Sequence, residues 1–288
     1  MEAQIWMDMK HMLGEGPTWD SEHQRFMWVD INGKTMQSYD VKTEHLQTWS
    51  FNEYVTTVVP INKEKVVLAM HSGVYRFNLI SEELTLVASP NDNPDIRFND
   101  GKCDASGRLW AGTMDVEGSE NEGALYCVYP DGHVKEKVAP VTISNGIAWN
   151  ATNDIMYYID TPTKKVAAYD FNIQTSEITF REYVITIPNG EGAPDGMTID
   201  EEGMLWIAHY GGWKVSCWNP LTGEQIDEVS VPCSNVTSCT FGGKDLNELY
   251  ITTARQGLNE EELKNQPHAG GLFRVEMKVR GMKAFNFK

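Results

Sequence analysis

Glu15, Asn145 and Asp195 carry the kind of oxygen donors that hold a hard metal ion, and each is followed by glycine in a similar local phrase. Glu15-Gly-Pro-Thr-Trp-Asp20, Asn145-Gly-Ile-Ala-Trp-Asn150 and Asp195-Gly-Met-Thr-Ile-Asp200 all lead from a polar residue through a short stretch to Asp or Asn. Asn99-Asp-Gly-Lys-Cys-Asp104 is a fourth copy, and Thr57-Val-Val-Pro-Ile-Asn62 and Ser238-Cys-Thr-Phe-Gly-Gly243 are degenerate ones. With the last residues of these phrases aligned, Glu15, Thr57, Asn99, Asn145, Asp195 and Ser238 form one column. Two carboxylates and an amide brought together repel if left bare, and a divalent cation satisfies them. Calcium, magnesium and manganese accept all-oxygen sets completed by water, and zinc, which prefers nitrogen and sulfur, tolerates them. Taken singly, Asp195 and Asn145 could instead cap turns ahead of Gly196 and Gly146. Their recurrence in one column with Glu15 and Asn99 favours the metal.

The column has to be positioned by what surrounds it. Each phrase is followed by a second apolar stretch, such as Phe26–Asp30, Gly107–Gly112, Asp154–Asp160 or Met204–His209, and the two read as a β-hairpin. A third strand follows (Ala124–Tyr129, Lys165–Tyr169, Leu272–Val275), then a polar turn and a more polar fourth strand (Val134–Val138, Gln225–Val231). The repeat length of about 42 to 50 residues is that of a propeller blade. The expected fold is therefore all-β: a six-bladed β-propeller with four-stranded blades around a central channel, residues 1–288 forming a single domain. First strands line the channel and run the same way, so the column becomes a ring at one mouth. Ile5–Met12 is expected to be a strand that pairs with the last blade and clasps the ring. Blade two, with Thr57 and Pro60, should contribute scaffold and at most a hydroxyl.

Arg97 and Asn99 alternate with the period of a strand and so point to the same side, toward the mouth. Arg97 is either paired to a structural carboxylate or aimed at an anionic or polyhydroxyl ligand. The acidic loop Asp115–Gly123 belongs to the same face, its carboxylates either solvated or functional. In the insertion Ala254–Gly271, Leu258–Lys264 is expected to form one or two helical turns, as a lid or as a surface excursion. Cys103 falls within an inner strand and reads as a packed thiol. No G-x-S-x-G, Walker loop or H-E-x-x-H is present.

Composition narrows the partners. A formal charge of −17 and no Lys/Arg cluster argue against nucleic acid and an anionic membrane surface. Five cysteines without a C-x-x-C pair suit free thiols in a reducing compartment. The N-terminus lacks the pattern of a signal peptide, and no stretch approaches the roughly 18 apolar residues of a membrane span. A cytoplasmic protein is expected, and its oligomeric state is left open.

Gly14-Glu-Gly-Pro-Thr-Trp19, Arg97-Phe-Asn-Asp-Gly-Lys102 with Gly107-Arg-Leu-Trp-Ala-Gly-Thr-Met114, Ile143-Ser-Asn-Gly-Ile-Ala-Trp149 with Tyr157-Tyr-Ile-Asp160, Pro194-Asp-Gly196 and Thr237-Ser-Cys-Thr-Phe-Gly-Gly243 resemble the regucalcin, gluconolactonase and luciferin-regenerating family of six-bladed propellers. The likeness runs in order along nearly the whole chain. It implies one divalent cation, calcium first and zinc, magnesium or manganese as alternatives, held by Glu15, Asn145 and Asp195. It also implies a small-molecule sugar lactone as substrate, with Arg97 and Asn99 contacting it. On that reading the cation polarises the ring carbonyl, and Asp195, its pKa held down by the cation, deprotonates the attacking water. The loop at 115–122 departs in length from the family pattern, and Glu117 and Glu122 are both candidates for a substrate-contacting acid. The alternative is a non-catalytic calcium-binding regulator of the regucalcin type.

Overall fold

The computed structural model describes residues 1–288 and consists of six four-stranded antiparallel sheets. The inner strands are Gly14–Asp20, Val55–Pro60, Ile96–Cys103, Ser144–Trp149, Ala193–Ile199 and Val236–Gly242. Each begins a blade, and in the first five blades the strands follow outward in chain order, giving the expected six-bladed propeller. Every blade packs both faces against neighbours, so its second strand is buried on both sides. Arg25–Asp30 and Leu109–Asp115 are buried throughout, which is why such stretches read as continuous runs and not as alternation. Outer strands meet water: in Glu224–Ser230 only Val229 is buried.

The core lies between blades. Met27, Val29 and Met36 of blade one pack with Val58, Val66 and Leu68 of blade two. Each such side chain fully buried contributes about 1.5–3 kcal/mol. The interface that closes the ring is aromatic, joining Trp19, Phe26 and Trp28 of blade one to Tyr250 of blade six.

The N-terminal strand completes blade six, with Gln4 opposite Arg274 and Ile5 opposite Phe273. Trp6 lies edge-on to Phe26, Tyr39 and Tyr250, at centroid distances of 5.3, 5.3 and 4.8 Å, so the clasp also bolts blade six to blade one. This strand spans Gln4–Met7 and stops short of the expected Met12. Lys10 is at φ 61°, and Met12 and Leu13 donate their amides to the Asp30 carboxylate at 3.1 and 2.9 Å. The chain thus turns there to enter blade one.

The last residues form a second, unanticipated tie. Met282 and Phe287 donate backbone N–H bonds to Ile199 and Pro60, at the ends of inner strands remote from the column, and Gly281 and Lys288 donate to Leu246 and Gly107. The tail therefore crosses the far mouth of the channel, with Phe287 buried. In the insertion, the helix is Glu260–Asn265, capped by Asn259, whose side chain accepts from Glu261 and Glu262 while Glu262 accepts from the Asn259 amide. Gln266 pins it by accepting the Ser234 amide at 2.7 Å. No helix is long and apolar enough to cross a membrane.

Candidate functional site

All six inner strands break register at or beside the column, between Glu15 and Thr18, Val55 and Thr57, Phe98 and Gly101, Asn145 and Ile147, Pro194 and Met197, and Val236 and Ser238. A bulge kinks a strand and re-aims its side chains. The glycines after the column residues serve this geometry and do not mark capped turns. Gly16 has φ 54°, a left-handed conformation. Gly196 lies inside its strand, where a Cβ would come within 2.0 Å of the Ser238 hydroxyl on the next blade. The turns lie at the opposite ends of the strands, where Asp104 and Asp200 accept the indoles of Trp110 and Trp206, both at 2.8 Å.

Glu15, Asn145 and Asp195 come from blades one, four and five, and each is buried. The Glu15 and Asp195 carboxyls lie close enough that each shifts the other's pKa, and neither has an ion-pair partner. Asn145 is oriented by its surroundings. Its Nδ2 donates to Thr161 Oγ1 at 2.8 Å, and Thr161 must accept because its own hydroxyl donates to the Pro194 carbonyl at 2.8 Å. The amide oxygen is thereby turned the other way, toward Asn99, whose Nδ2 donates to it at 3.1 Å. Thr161 sits on a short 3-10 turn after the second strand of blade four, outside the column, so the repeat gives no sign of it.

Arg97 and Asn99 share one side of their strand, as their alternation predicts, and are also bonded to each other. Arg97 Nη1 donates to Asn99 Oδ1 and to the Phe98 carbonyl, both at 2.8 Å. No carboxylate lies within ion-pair distance of Arg97, so a structural salt bridge is not its role, and its Nε and Nη2 make no bond within the protein. Asn99 is more fully engaged, since Nδ2 also donates to the Ser144 carbonyl at 2.8 Å. Both of its amide hydrogens are spent, leaving a lone pair on Oδ1 for any ligand.

Electrostatics follow from burial. Loss of solvation raises the Glu15 pKa to about 8, aided by the nearby Asp100 charge. Asp195 is pushed well above the ordinary carboxylate range by burial, then by Glu15 and Asp100. Burial lowers Arg97 to about 10. Asp100 is a third acid, one strand position beyond the column, and burial raises its pKa against the pull of Lys102. Lys102 donates to the Met197 carbonyl at 2.8 Å. Both residues belong to the Asn99-Asp-Gly-Lys phrase, but they fall off the column, and the repeat alone does not single them out.

Glu117 and Glu122 are exposed on the loop after Leu109–Asp115, and no contact joins either to Arg97. The loop is held by Asp115, which accepts the amides of Glu117 and Ser119 at 3.0 Å. All five cysteines are free and buried, and burial raises the Cys103 thiol well above its usual pKa. His209 is buried and bonded at both ring nitrogens, to the Glu191 carbonyl and the Ser216 hydroxyl.

A cation here would find two carboxylates and one amide, since no cluster of three or more His, Cys, Asp or Glu side chains occurs. Two buried acids without a basic partner, and an amide oxygen turned away from its own anchor, are a donor set that suits a hard divalent ion. Residues 13–255 match the family described as SMP-30/Gluconolactonase/LRE-like region. The chain belongs to this family. Within the SMP-30/gluconolactonase group, it is 39% identical over 288 residues to YvrE of Bacillus subtilis strain 168, provisionally named a sugar lactone lactonase, covering 100% of this chain and 99% of that protein. It is 37% identical over 281 residues to Homo sapiens regucalcin, covering 95% and 94% of the two chains. Among solved structures, a calcium-binding regucalcin from Agrobacterium tumefaciens superposes with a TM-score of 0.95 at 26% identity, covering 99% of this chain and 97% of the other.

Proposed function

We propose that this member of the SMP-30/gluconolactonase family is a metal-dependent hydrolase of sugar lactones, a carboxylic ester hydrolase acting on aldonolactones. The observation that carries the reading is the juxtaposition of two unpaired buried carboxylates, Glu15 and Asp195, with a buried Arg97 whose Nε and Nη2 are free. The name of the Bacillus relative supports the substrate class.

Lactone hydrolysis needs an acidified carbonyl, a base for water and a grip on the ring. Glu15, Asn145 and Asp195 would hold the cation, with Thr161 fixing the amide of Asn145. When bound, a divalent cation, calcium first, supplies Lewis-acid polarisation of the lactone carbonyl. Asp195 takes a proton from the attacking water as its oxygen bonds to the carbonyl carbon, and returns it to the ring oxygen as the acyl–oxygen bond breaks. Arg97 donates from Nε and Nη2 to substrate hydroxyls, orienting the ring. Asn99 holds Arg97 and Asn145 in register.

The test is base consumption in a pH-stat with gluconolactone as substrate, on protein stripped by chelator and then reloaded with calcium. Turnover that disappears on stripping and returns with the cation is expected. Tight calcium binding with no turnover of any aldonolactone would replace this reading with that of a calcium-binding regulator, in line with the calcium-binding regucalcin of Agrobacterium tumefaciens.

A further inference from the structure

Blade two supplies no oxygen ligand, yet it meets the site through an aromatic side chain. Tyr54 lies immediately before the inner strand Val55–Pro60, at the mouth, and is half-buried. The guanidinium carbon of Arg97 stands 5.9 Å from the centre of its ring. The ring of His71 stacks on Tyr54 at 5.8 Å with 20° between planes. His71 is itself fixed: its ring Nε2 lies 2.8 Å from the Pro94 carbonyl, and its backbone amide donates to the Tyr54 carbonyl at 2.9 Å. Pro94 precedes Arg97 by three residues. The segment entering blade three therefore meets one ring twice, at Pro94 through His71 and at Arg97 directly, and Lys34 Nζ also lies 5.5 Å from the centre of that ring.

This matters because Arg97 is held by hydrogen bonds at one nitrogen only, Nη1. A guanidinium anchored there can still swing its opposite edge, and the directions of Nε and Nη2 decide which hydroxyls they reach. A flat aromatic surface attracts the guanidinium and restricts its plane. The Tyr54 hydroxyl makes no hydrogen bond within the protein, so the ring face is the part of this side chain that the structure uses.

We infer that Tyr54 is the platform that sets the plane of the Arg97 fork, which makes blade two a determinant of which lactones are held; the inference rests on the lactonase reading for its substrate. Tyr54 is on this account a positioning residue that acts through Arg97.

The experiment is a double-mutant cycle of Tyr54→Leu and Arg97→Ala, with Tyr54→Phe as the conservative variant, on calcium-loaded protein whose melting curves confirm folding. Two readouts are taken: kinetics on gluconolactone and on an unsubstituted lactone, and calorimetric binding of glucitol, which needs no turnover. Tyr54→Leu should raise KM for gluconolactone and weaken glucitol binding roughly two- to fivefold, the range of an exposed cation–π contact, with kcat little changed. Tyr54→Phe should restore most of that loss, the unsubstituted lactone should be indifferent, and Tyr54→Leu should add nothing in the Arg97→Ala background. Independent, multiplying effects would overturn the platform, as would a Tyr54→Phe loss equal to that of Tyr54→Leu. If Tyr54→Leu does not fold, the Tyr54→Phe comparison and its coupling to Arg97→Ala decide. A wild type that binds glucitol but opens no lactone sinks the lactonase reading and leaves the platform standing on the binding cycle. A wild type that does neither overturns Arg97 as a hydroxyl clamp and the platform with it.

Discussion

Asn99 donates its side-chain N–H to the amide oxygen of Asn145 at 3.1 Å, joining the half of the mouth that would grip substrate to the half that would hold a cation. Asn99 and Asn145 stand on neighbouring blades, three and four, and without this bond the two halves would be independent. Asn99→Ala should therefore weaken calcium binding about tenfold, the lower end of what losing a ligand-orienting partner costs, although Asn99 is not itself one of the three proposed ligands. Arg97→Ala should leave calcium affinity unchanged or slightly improved, since it removes a positive charge. Calorimetric titration of both variants checks the contrast, and equal losses would refute it.

Thr161 tests the same logic from the other side of Asn145. Thr161→Val keeps the shape but removes the acceptor for Asn145 Nδ2, freeing the amide to flip. Calcium affinity should drop by about ten- to hundredfold, and Thr161→Ser should recover it. A Val variant that binds as wild type does would show that the amide needs no such anchor.

On the proposed assignment Asp195→Ala removes a ligand and the base together, so calcium affinity and turnover should both collapse while the fold survives. Asn145→Asp keeps an oxygen in place and adds charge, so it should retain binding. Should calorimetry show Asp195→Ala binding calcium like wild type, the ligand assignment is wrong.

The raised acids make a pH prediction with a definite sign. Glu15, at about 8, and Asp195, also shifted upward, hold protons in the folded cation-free protein that the unfolded chain has already released. Between the ordinary carboxylate range and about pH 8, the native state thus binds more protons than the unfolded state, and stability falls as pH rises through this window. Chelated protein should melt lower at pH 8.5 than at pH 6. Asp100→Asn should lessen the difference, because the Asp100 charge contributes to both shifts. Calcium should bind with release of protons, visible as acidification of a weakly buffered sample near pH 7, and binding without proton release would contradict the shifts.

Arg97→Ala should lower kcat/KM on polyhydroxyl lactones by about 1 to 3 kcal/mol, roughly five- to hundredfold, because a polar partner loses its mate. An unsubstituted lactone gives Arg97 nothing to hold and should be much less affected. Equal losses on both would move Arg97 to the carbonyl or the framework.

Much of this site is legible in the amino-acid sequence by itself. The inner strands, the hairpins and the ring of Glu15, Asn145 and Asp195 are encoded in contiguous phrases, since a hairpin is local and a repeat places equivalent residues at equivalent heights. The alternation of Arg97 with Asn99 is equally local and puts both on the mouth side, while the hydrogen bond between them is a finding of the structure. What strand periodicity does not register is the bulge in each inner strand. Gly146 and Gly196 resemble turn formers in sequence, whereas at Gly196 it is the next blade's Ser238 that leaves no space for a Cβ. The lock that Thr161 forms between Asn145 and Pro194, the Asn99–Asn145 bond, the Tyr54 ring against Arg97 and the tail across the far mouth are decided only by tertiary structure. Each joins residues of different blades or lies outside the repeat, and the distance between such residues is set by the closure of six twisted sheets on one axis, which no single repeat contains.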